Sequence, residues 1–228
     1  MTRGELTSTN GTVVWDGIGT LRIRYDGTPD PLTSPLWSRL GERVVPVEAL
    51  QAVEVRDTGL RLVLRDGADP LPSVTRLIEF YDFPGVDQER AEELARDIRQ
   101  VLVRRDVPET SAAAWLVAPP AAPDRIEGRD VTLAVANGQL TFEYHRNAGR
   151  KKKAYGDPWS VPLGDIVDVE WISAQGRLGA RGFIRISTAA SPHVRPKPKH
   201  DPAAMVTRRP AEVDALFFAA RLLTRIRP

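Results

Sequence analysis

The sequence predicts a mainly β (α+β) protein that consists of two tandem copies of one domain. The main observation is an internal repeat. Residues 21–25 (LRIRY) match residues 140–144 (LTFEY), 119 positions later, and Val45-Pro46-Val47 matches Val161-Pro162-Leu163, 116 positions later. A repeat of this length indicates the architecture before any single element is assigned. Each half also places short alternating segments before one amphipathic segment, which is typical of antiparallel sheets capped by a helix.

The composition is that of an ordinary globular chain, with 42% hydrophobic and 27% charged residues. The chain has no cysteine, which excludes disulfides and thiolate metal sites and fits a reducing compartment. The first ten residues lack an apolar run, and no window approaches the roughly 18 apolar residues that span a bilayer. We therefore expect a soluble, cytoplasmic protein.

Charge is distributed unevenly along the chain. Residues 1–118 contain 14 Arg, no Lys and 19 Asp or Glu, a net charge of −5, whereas residues 119–228 contain 18 Lys or Arg and 11 Asp or Glu, a net charge of +7. Two solvated surfaces of different composition are the simplest interpretation. The alternatives are attraction between the two halves and an anionic partner for the second half.

The first half predicts a series of short strands. Leu21, Ile23 and Tyr25 alternate with two arginines, which is the period of a half-buried strand. Pro46 favours an edge or strand-end position because proline cannot donate to a ladder. Residues 26–35 are rich in proline and predict a loop. Strands are expected at residues 12–15, 21–25, 44–47, 52–55, 60–64 and 78–81.

A helix is predicted after these strands. Asp87 is a suitable N-cap, and Glu89 suits the positive end of the helix dipole. Apolar residues then recur at helical spacing on one face: Ala91, Leu94, Ala95, Ile98, Val101 and Leu102. This helix ends the first predicted domain, residues 1–105. Residues 106–125 are rich in Pro and Ala and predict a stiff linker, within which residues 111–117 are an alternative single helical turn.

The second predicted domain, residues 126–228, repeats the same order. Asn137-Gly138 predicts a tight hairpin turn, and Pro210 is a good first-turn residue for a closing helix that runs to about residue 225. Strands are expected at residues 130–135, 140–144, 159–163, 167–171 and around 184–186. We expect a buried core in both halves from Leu21, Ile23, Leu62, Ile98, Leu140, Phe142, Ile186 and Leu216.

Three features occur twice in the chain. They are a glycine-led first hairpin, a strand of pattern (V/I)P(V/L) that runs into an acidic-apolar strand, and a C-terminal helix. This pattern resembles a family of uncharacterised, mainly actinobacterial proteins whose domain is similar to the pleckstrin-homology (PH-like) superfold and is commonly duplicated. The resemblance covers nearly the whole chain outside the linker, with departures at residues 26–43 and 189–202. It implies two tandem PH-like barrels, each of about seven antiparallel strands closed by a C-terminal helix. It carries no established activity, and such superfolds host many functions.

Residues for catalysis or metal binding do not form a specific pattern. The chain has three histidines: His145 at the end of a strand, and His193 and His200 in a proline-rich loop. No metal-binding spacing accompanies them. Residues 176–182 are glycine-spaced but precede a predicted strand, so they do not form a dinucleotide-binding turn. We therefore expect no enzyme activity, no cofactor and no metal site.

Two basic clusters in the second half are the sharpest functional signal. They contain Arg146, Arg150, Lys151, Lys152 and Lys153, and then Arg195, Lys197 and Lys199. One interpretation is a pocket for an anionic lipid surface, a phosphate group or an acidic partner. The others are a solvated loop and a contact with the acidic first half. A nucleic-acid partner is not expected, because only Tyr155 and Trp159 lie nearby for base stacking.

The closing helix is apolar over an unusually wide arc. Phe218 and Leu222 lie beside the face that suffices for a core, which predicts an interface with the first domain or with another chain. Scattered exposed apolar residues are the alternative. In sum, the sequence predicts an uncharacterised non-enzymatic binding or scaffolding protein that acts through contacts with an unknown protein partner. The alternative is peripheral binding of anionic lipid or phosphate groups through the basic loops, at the membrane periphery.

Overall fold

A computed structural model of the chain describes residues 4–26, 34–75, 78–174, 182–208 and 211–227. The chain divides into two compact units. The first contains Met1–Ser73 and Ile78–Ala118, and the second contains Val74–Leu77 and Pro119–Pro228.

The first unit contains two antiparallel sheets and a long C-terminal helix. In chain order from Gly4 to Arg104 the elements are β1 (Gly4–Ser8), β2 (Gly11–Trp15), β3 (Thr20–Tyr25), α1 (Ser34–Leu40), β4 (Glu42–Pro46), β5 (Leu50–Arg56), β6 (Gly59–Leu64), α2 (Pro70–Val74), β7 (Asp82–Pro84) and α3 (Gln88–Arg104). One sheet has the order β1-β2-β3-β4 and the other β5-β6-β7. Pro46 ends β4 at the edge of its sheet, as predicted, where its missing N–H leaves no ladder bond unmade.

The second unit has the same plan. Its elements are β8 (Arg125–Glu127), β9 (Val131–Ala136), β10 (Gln139–Tyr144), β11 (Trp159–Pro162), β12 (Ile166–Ile172), β13 (Phe183–Thr188), β14 (Ala204–Val206) and α4 (Glu212–Ile226). The sheets have the orders β11-β10-β9-β8 and β12-β13-β14. Pro162 ends the edge strand β11 as Pro46 ends β4. The predicted first-turn residue Pro210 lies outside the described residues.

The repeat predicted from the sequence is confirmed down to its irregularities. Leu21 pairs with Val45, and Leu140 pairs with Val161. A short 3-10 turn follows each of these strand pairs, at Val47–Ala49 and Leu163–Asp165. Both following strands then shift register within their first three residues. A shared bulge at the same place indicates a shared backbone, because bulges are specific features of a fold.

The predicted core is confirmed. All eight predicted residues are buried: Leu21, Ile23, Leu62, Ile98, Leu140, Phe142, Ile186 and Leu216. Helix α3 begins as predicted, because the Asp87 side chain accepts a hydrogen bond from the Arg90 N–H at 2.9 Å. Leu94 and Ile98 of this helix are buried, as are Leu216 and Phe217 of α4. Within the described ranges the four sheets stay open and do not close into the two predicted barrels.

The last strand of the first unit is not where the sequence placed it. Residues 78–81 are irregular, and β7 begins at Asp82, where pairing with Arg61 starts. The aromatic pattern instead reflects burial. The Tyr81 hydroxyl donates to the buried Asp69 carboxylate, and the Phe80 carbonyl accepts the Tyr25 hydroxyl at 2.8 Å. The elements that the sequence does not predict include the short elements β1, β8, α1 and α2.

The predicted linker has ordered contacts at both of its ends. Residues 111–117 form no helical turn. Instead they run beside the turn at residues 65–69, where Ala112 N–H donates to the Asp66 carbonyl at 2.8 Å and Leu116 N–H to that of Ala68 at 2.9 Å. The buried Arg43, paired with Asp69 at 2.9 Å, also donates to the Ala118 carbonyl at 2.8 Å. Residues up to Ala118 therefore belong to the first unit.

The other end of the predicted linker is attached to the second unit. Asp124 pairs with Arg225 of α4 at 2.6 Å, and its carbonyl accepts the Val135 N–H at 2.8 Å. A composition rich in proline and alanine therefore concealed two segments that are held by backbone hydrogen bonds.

Candidate anion-binding surface of the second unit

The structure brings the two predicted basic clusters together. One lies on residues 145–157, between β10 and β11, and is called the lysine loop below. The other lies on residues 191–202, between β13 and β14, and is called the proline loop. The Lys152 ammonium of the lysine loop donates to the Pro198 carbonyl of the proline loop at 2.9 Å.

Lys152 is not a surface residue. Its exposed fraction is 0%, and its Nζ lies 2.5 Å from Oδ2 of Asp130. Burial lowers the pKa of Lys152 from its usual value, and the negative charge of Asp130 opposes that shift. The other Asp130 oxygen accepts the Val206 N–H of β14 at 3.1 Å. Lys152 is therefore a structural connection between the loops and the sheets rather than a contact for a ligand.

Two arginines attach the proline loop to the sheet beneath it. Arg185 of β13 donates to the Pro196 carbonyl and pairs with Asp201, both at 3.0 Å. Arg195 donates to the Ile186 carbonyl at 2.9 Å and to the Ser187 hydroxyl at 2.7 Å. The backbone of the proline loop is thus held at several points along its length.

Five of the eight predicted site residues are exposed. Their side chains form no hydrogen bond or ion pair with any residue that the structure describes. We call them the basic surface: Arg146, Arg150, Lys151, Lys197 and Lys199. Lys153 instead pairs with Asp157 at 2.5 Å on the lysine loop. Charges on a fixed backbone, with no internal partner, can attract an anion from solution.

Apolar and aromatic side chains accompany the basic surface. Tyr155 of the lysine loop is 55% exposed, and its ring lies 5.0 Å from that of Trp159. Trp159 in turn packs against Phe142 at 4.6 Å. Val194 of the proline loop is 87% exposed. These side chains give the loops an apolar component in addition to their charge.

The histidines do not assemble into a site. His145 is half-buried, with Nε2 2.8 Å from the Thr132 hydroxyl and Nδ1 3.3 Å from the Arg129 carbonyl. His193 and His200 are exposed. No cluster of three His, Asp or Glu side chains suited to a metal occurs in the part of the chain that the structure describes. Residues 176–181 of the glycine-spaced segment lie outside that part.

Phe218 and Leu222 lie inside the second unit. Both are buried, and with Pro123, Asp124 and Val135 of the same unit they line a small void. Their predicted role at an interface stays a prediction. Among the described helices, none has the length and apolar character needed to cross a membrane.

Two central residues of this region were not distinguishable in the sequence. Lys152 stands between two other lysines, and nothing in that run marks which of the three is buried. The sequence predicts a strand from residue 130 and indicates no role for Asp130. The only available signal is the repeat itself. Asp130 immediately precedes β9, which pairs with β10, and Asn10 immediately precedes β2, which pairs with β3. Both β10 and β3 end in a tyrosine, so Asp130 and Asn10 occupy equivalent positions.

The chain was compared with known protein families, and one family model matches it twice. That family is described as a domain of unknown function, DUF4429, and the matches cover residues 14–99 and 136–223. These two regions fall in the first and second units and follow the repeat described above. No curated protein and no solved structure matches the chain. Because the two matches cover more than half of the 228 residues, the chain belongs to the DUF4429 family, with its domain present in tandem.

Proposed function

We propose that this chain is a non-enzymatic binding protein that acts through protein–protein contacts, with the basic surface of the second unit as the contact for an acidic partner. One observation carries the proposal. Lys152, Arg185 and Arg195 are engaged in holding the two loops, while the five cations of the basic surface are exposed and have no partner among the residues that the structure describes.

The electrostatics favour an anionic partner. Residues 119–228 carry a net charge of +7, and five of the exposed cations in the described part of this half lie on two adjacent loops. A cluster of like charge speeds association with an oppositely charged surface and selects against cationic partners. Such binding weakens with salt, because exposed charges are screened within about 10 Å at 0.1 M salt.

The proposal includes the PH-like superfold and an actinobacterial origin, as the sequence resemblance implies. Seven strands followed by a closing helix in each repeat support the PH-like assignment. The superfold does not itself supply the function, so the binding role depends on the basic surface. We place the protein in the cytoplasm.

Peripheral binding of anionic lipid or phosphate is the second candidate function. The exposed Tyr155 and Val194 favour it, because apolar side chains among cations add insertion to electrostatic attraction at a membrane surface. Each cation near such a surface contributes about 1 kcal/mol.

Charge reversal tests the proposed function. The variant Lys151→Glu, Lys197→Glu, Lys199→Glu should bind a fluorescent polyglutamate peptide at least about tenfold more weakly than the native chain. Its melting temperature should stay unchanged, because all three side chains are exposed and no described residue pairs with them. The matched control is Arg90→Glu, Arg96→Glu, Arg104→Glu on α3, which changes the net charge equally and should bind as the native chain does.

Vesicles separate the two candidate functions. Binding to vesicles that contain phosphatidylserine, without binding to polyglutamate, would replace the protein partner by a lipid surface. Failure of the native chain to bind either probe at low ionic strength contradicts both candidates. Equal loss of polyglutamate binding in the test variant and the α3 control would show that net charge, not this surface, attracts the peptide.

A further inference from the structure

The connection between the lysine loop and the proline loop is a buried charge. The Lys152 ammonium contacts Asp130 at 2.5 Å and the Pro198 carbonyl at 2.9 Å, and no part of it reaches solvent. The residues on either side of both contact points, Lys151 and Lys153 on one loop and Lys197 and Lys199 on the other, are at least partly exposed. One buried side chain therefore sets the relative position of cations that belong to two separate segments.

We propose that Lys152 is a positioning residue that joins the two loops into a single binding surface for an extended acidic segment of a protein partner. This inference rests on the proposed function, because it names the chemistry of the partner and the residue that prepares the site. Lys152 itself makes no contact with the partner. Its ion pair and hydrogen bond prepare the arrangement of Lys151, Lys197 and Lys199 before binding, which lowers the entropy cost of association.

The fold does not need a buried ion pair at this place. In the first unit the equivalent of Asp130 is the neutral Asn10, which donates to the Asp82 carbonyl at 2.8 Å. The connection after β3 buries Trp37, whose ring stacks on Tyr25 at 5.2 Å, and the connection after β10 buries Lys152. Replacing a buried ion pair by apolar packing is often neutral or stabilising, so the charge in the second unit is better explained by positioning than by stability.

The arrangement of the cations favours an acidic peptide over a lipid surface. Lys197 precedes and Lys199 lies within a 3-10 turn over Pro198–His200, which is closed by the His200 N–H donating to the Lys197 carbonyl at 2.7 Å. The two lysines are therefore held close together on a hydrogen-bonded backbone, and consecutive carboxylates of an acidic segment complement such a fixed cluster of charge. Lipid headgroups diffuse freely and require no fixed spacing, so a rigid connection between the loops would contribute little to their binding.

The test removes the buried pair without changing the net charge. The double variant Lys152→Met, Asp130→Asn removes both charges of the buried pair, so neither is left buried without its partner, and the five cations of the basic surface remain. The matched control is Lys153→Met, Asp157→Asn, which removes the exposed ion pair of the same loop. Polyglutamate affinity and its dependence on salt are measured for both variants. Amide hydrogen exchange is measured at His200 and Asp201, whose N–H groups donate to the Lys197 carbonyl at 2.7 and 3.1 Å.

Three results are expected from the buried-pair variant. Exchange at His200 and Asp201 rises, polyglutamate affinity falls about tenfold, and the salt dependence becomes shallower because fewer cations contact the peptide together. The control keeps native values in all three measurements. A merely structural role for Lys152 would change the melting temperature without changing the salt dependence of binding.

Other outcomes overturn the inference, and they differ from failure of the proposed function. Faster exchange with unchanged affinity shows that the two loops need not be joined for binding. Unchanged exchange shows that Lys152 does not hold the proline loop. Binding of the native chain to phosphatidylserine vesicles alone overturns the peptide partner. Absence of all polyglutamate binding by the native chain rejects the proposed function and the peptide partner, while the exchange result still decides whether Lys152 couples the loops.

Discussion

The two units share one backbone plan but differ in how they use the connection between their third and fourth sheet strands. In the first unit this connection contains α1, and its Trp37 packs on Tyr25. In the second unit it is the lysine loop, and Lys152 is buried instead. The comparison shows that this connection buries a side chain in each unit, but that the chemistry of the buried side chain differs. A buried aromatic ring needs only packing, whereas a buried ammonium needs polar partners, and one of those partners here is a carbonyl of a second loop.

A second difference concerns one ion pair. Arg61 and Glu79 in the first unit are paired at 3.3 Å, with side chains 33% and 63% exposed. The equivalent residues Arg185 and Asp201 are paired at 3.0 Å, with side chains 15% and 2% exposed. The proline loop explains the change, because Arg185 also donates to its Pro196 carbonyl. The same pair is thus solvated in one repeat and part of a buried network in the other.

Removal of the arginine from each pair should give the largest difference in lost stability between the two units. We expect Arg185→Ala to cost about 3–5 kcal/mol, because it leaves the buried Asp201 carboxylate without its cation. Arg61→Ala should cost about 0–1 kcal/mol, because solvent screens that pair. Urea unfolding followed by tryptophan fluorescence measures both, with Trp159 and Trp171 in the second unit and Trp15 and Trp37 in the first. Equal losses would contradict the difference in burial.

Replacement of one buried leucine in each C-terminal helix should lower the stability of both units by a similar amount. Leu94 of α3 and Leu216 of α4 are both buried, so replacement of either by Ala should cost about 2–5 kcal/mol. The same denaturation experiment measures the losses. A loss under about 0.5 kcal/mol for either variant would show that its helix does not cap its sheets as the other does.

The β2–β3 hairpin of the first unit and the β9–β10 hairpin of the second should differ in their response to acid, with the smallest effect on stability. The Asp16 carboxylate accepts backbone N–H groups of Ile18, Gly19 and Thr20 at 2.8–2.9 Å, whereas the second unit turns at Asn137-Gly138 with positive φ at both residues. Burial acts to raise the pKa of Asp16, but the hydrogen bonds from Gly19, Thr20 and Ile18 outweigh it and lower the pKa below 3.8. Its contribution is therefore present above pH 3.8 and lost as the pH falls through the lowered pKa.

The acid effect is measured with Asp16→Asn. At neutral pH this variant should be less stable than the native chain by under about 1 kcal/mol, because solvent screens the open turn. The difference should shrink as the pH falls below 3.8. Asn137→Asp serves as the comparison, since its turn offers no set of three N–H donors to a carboxylate among the described contacts. A pH-independent difference for Asp16→Asn would contradict the hydrogen-bonded turn.

Much of the fold was accessible from the sequence because it depends on local patterns. Alternating apolar residues located β3 and β10, and helical periodicity with an Asp87 cap located α3. The short elements β1, β8, α1 and α2 were missed because three to seven residues carry too little periodicity to stand out. Residues 78–81 were assigned to a strand because burial and strand pairing favour the same aromatic residues.

The candidate site was predictable as a set of basic residues but not as an arrangement. Charge runs show in composition, so all eight cations were identified, and the structure places five of them at an exposed surface. The functions of Lys152 and Arg195 depend on carbonyls of Pro198 and Ile186, which lie 46 and 9 residues away in the chain. Composition contains no information on such distant partners.

By itself, the sequence determined that the chain is a tandem repeat, the order of most strands and helices, the core residues and the excess of positive charge in the second half. Each of these follows from neighbours a few residues apart, from counting residues or from comparing the two halves of the sequence. Only the tertiary structure decided that Lys152 is buried against Asp130, that the proline loop lies beside the lysine loop, and that the supposed linker is attached at both ends. The physical reason is that burial of a charge depends on which distant backbone and side-chain groups surround it. The same lysine is solvated or structural according to a partner that local sequence does not specify.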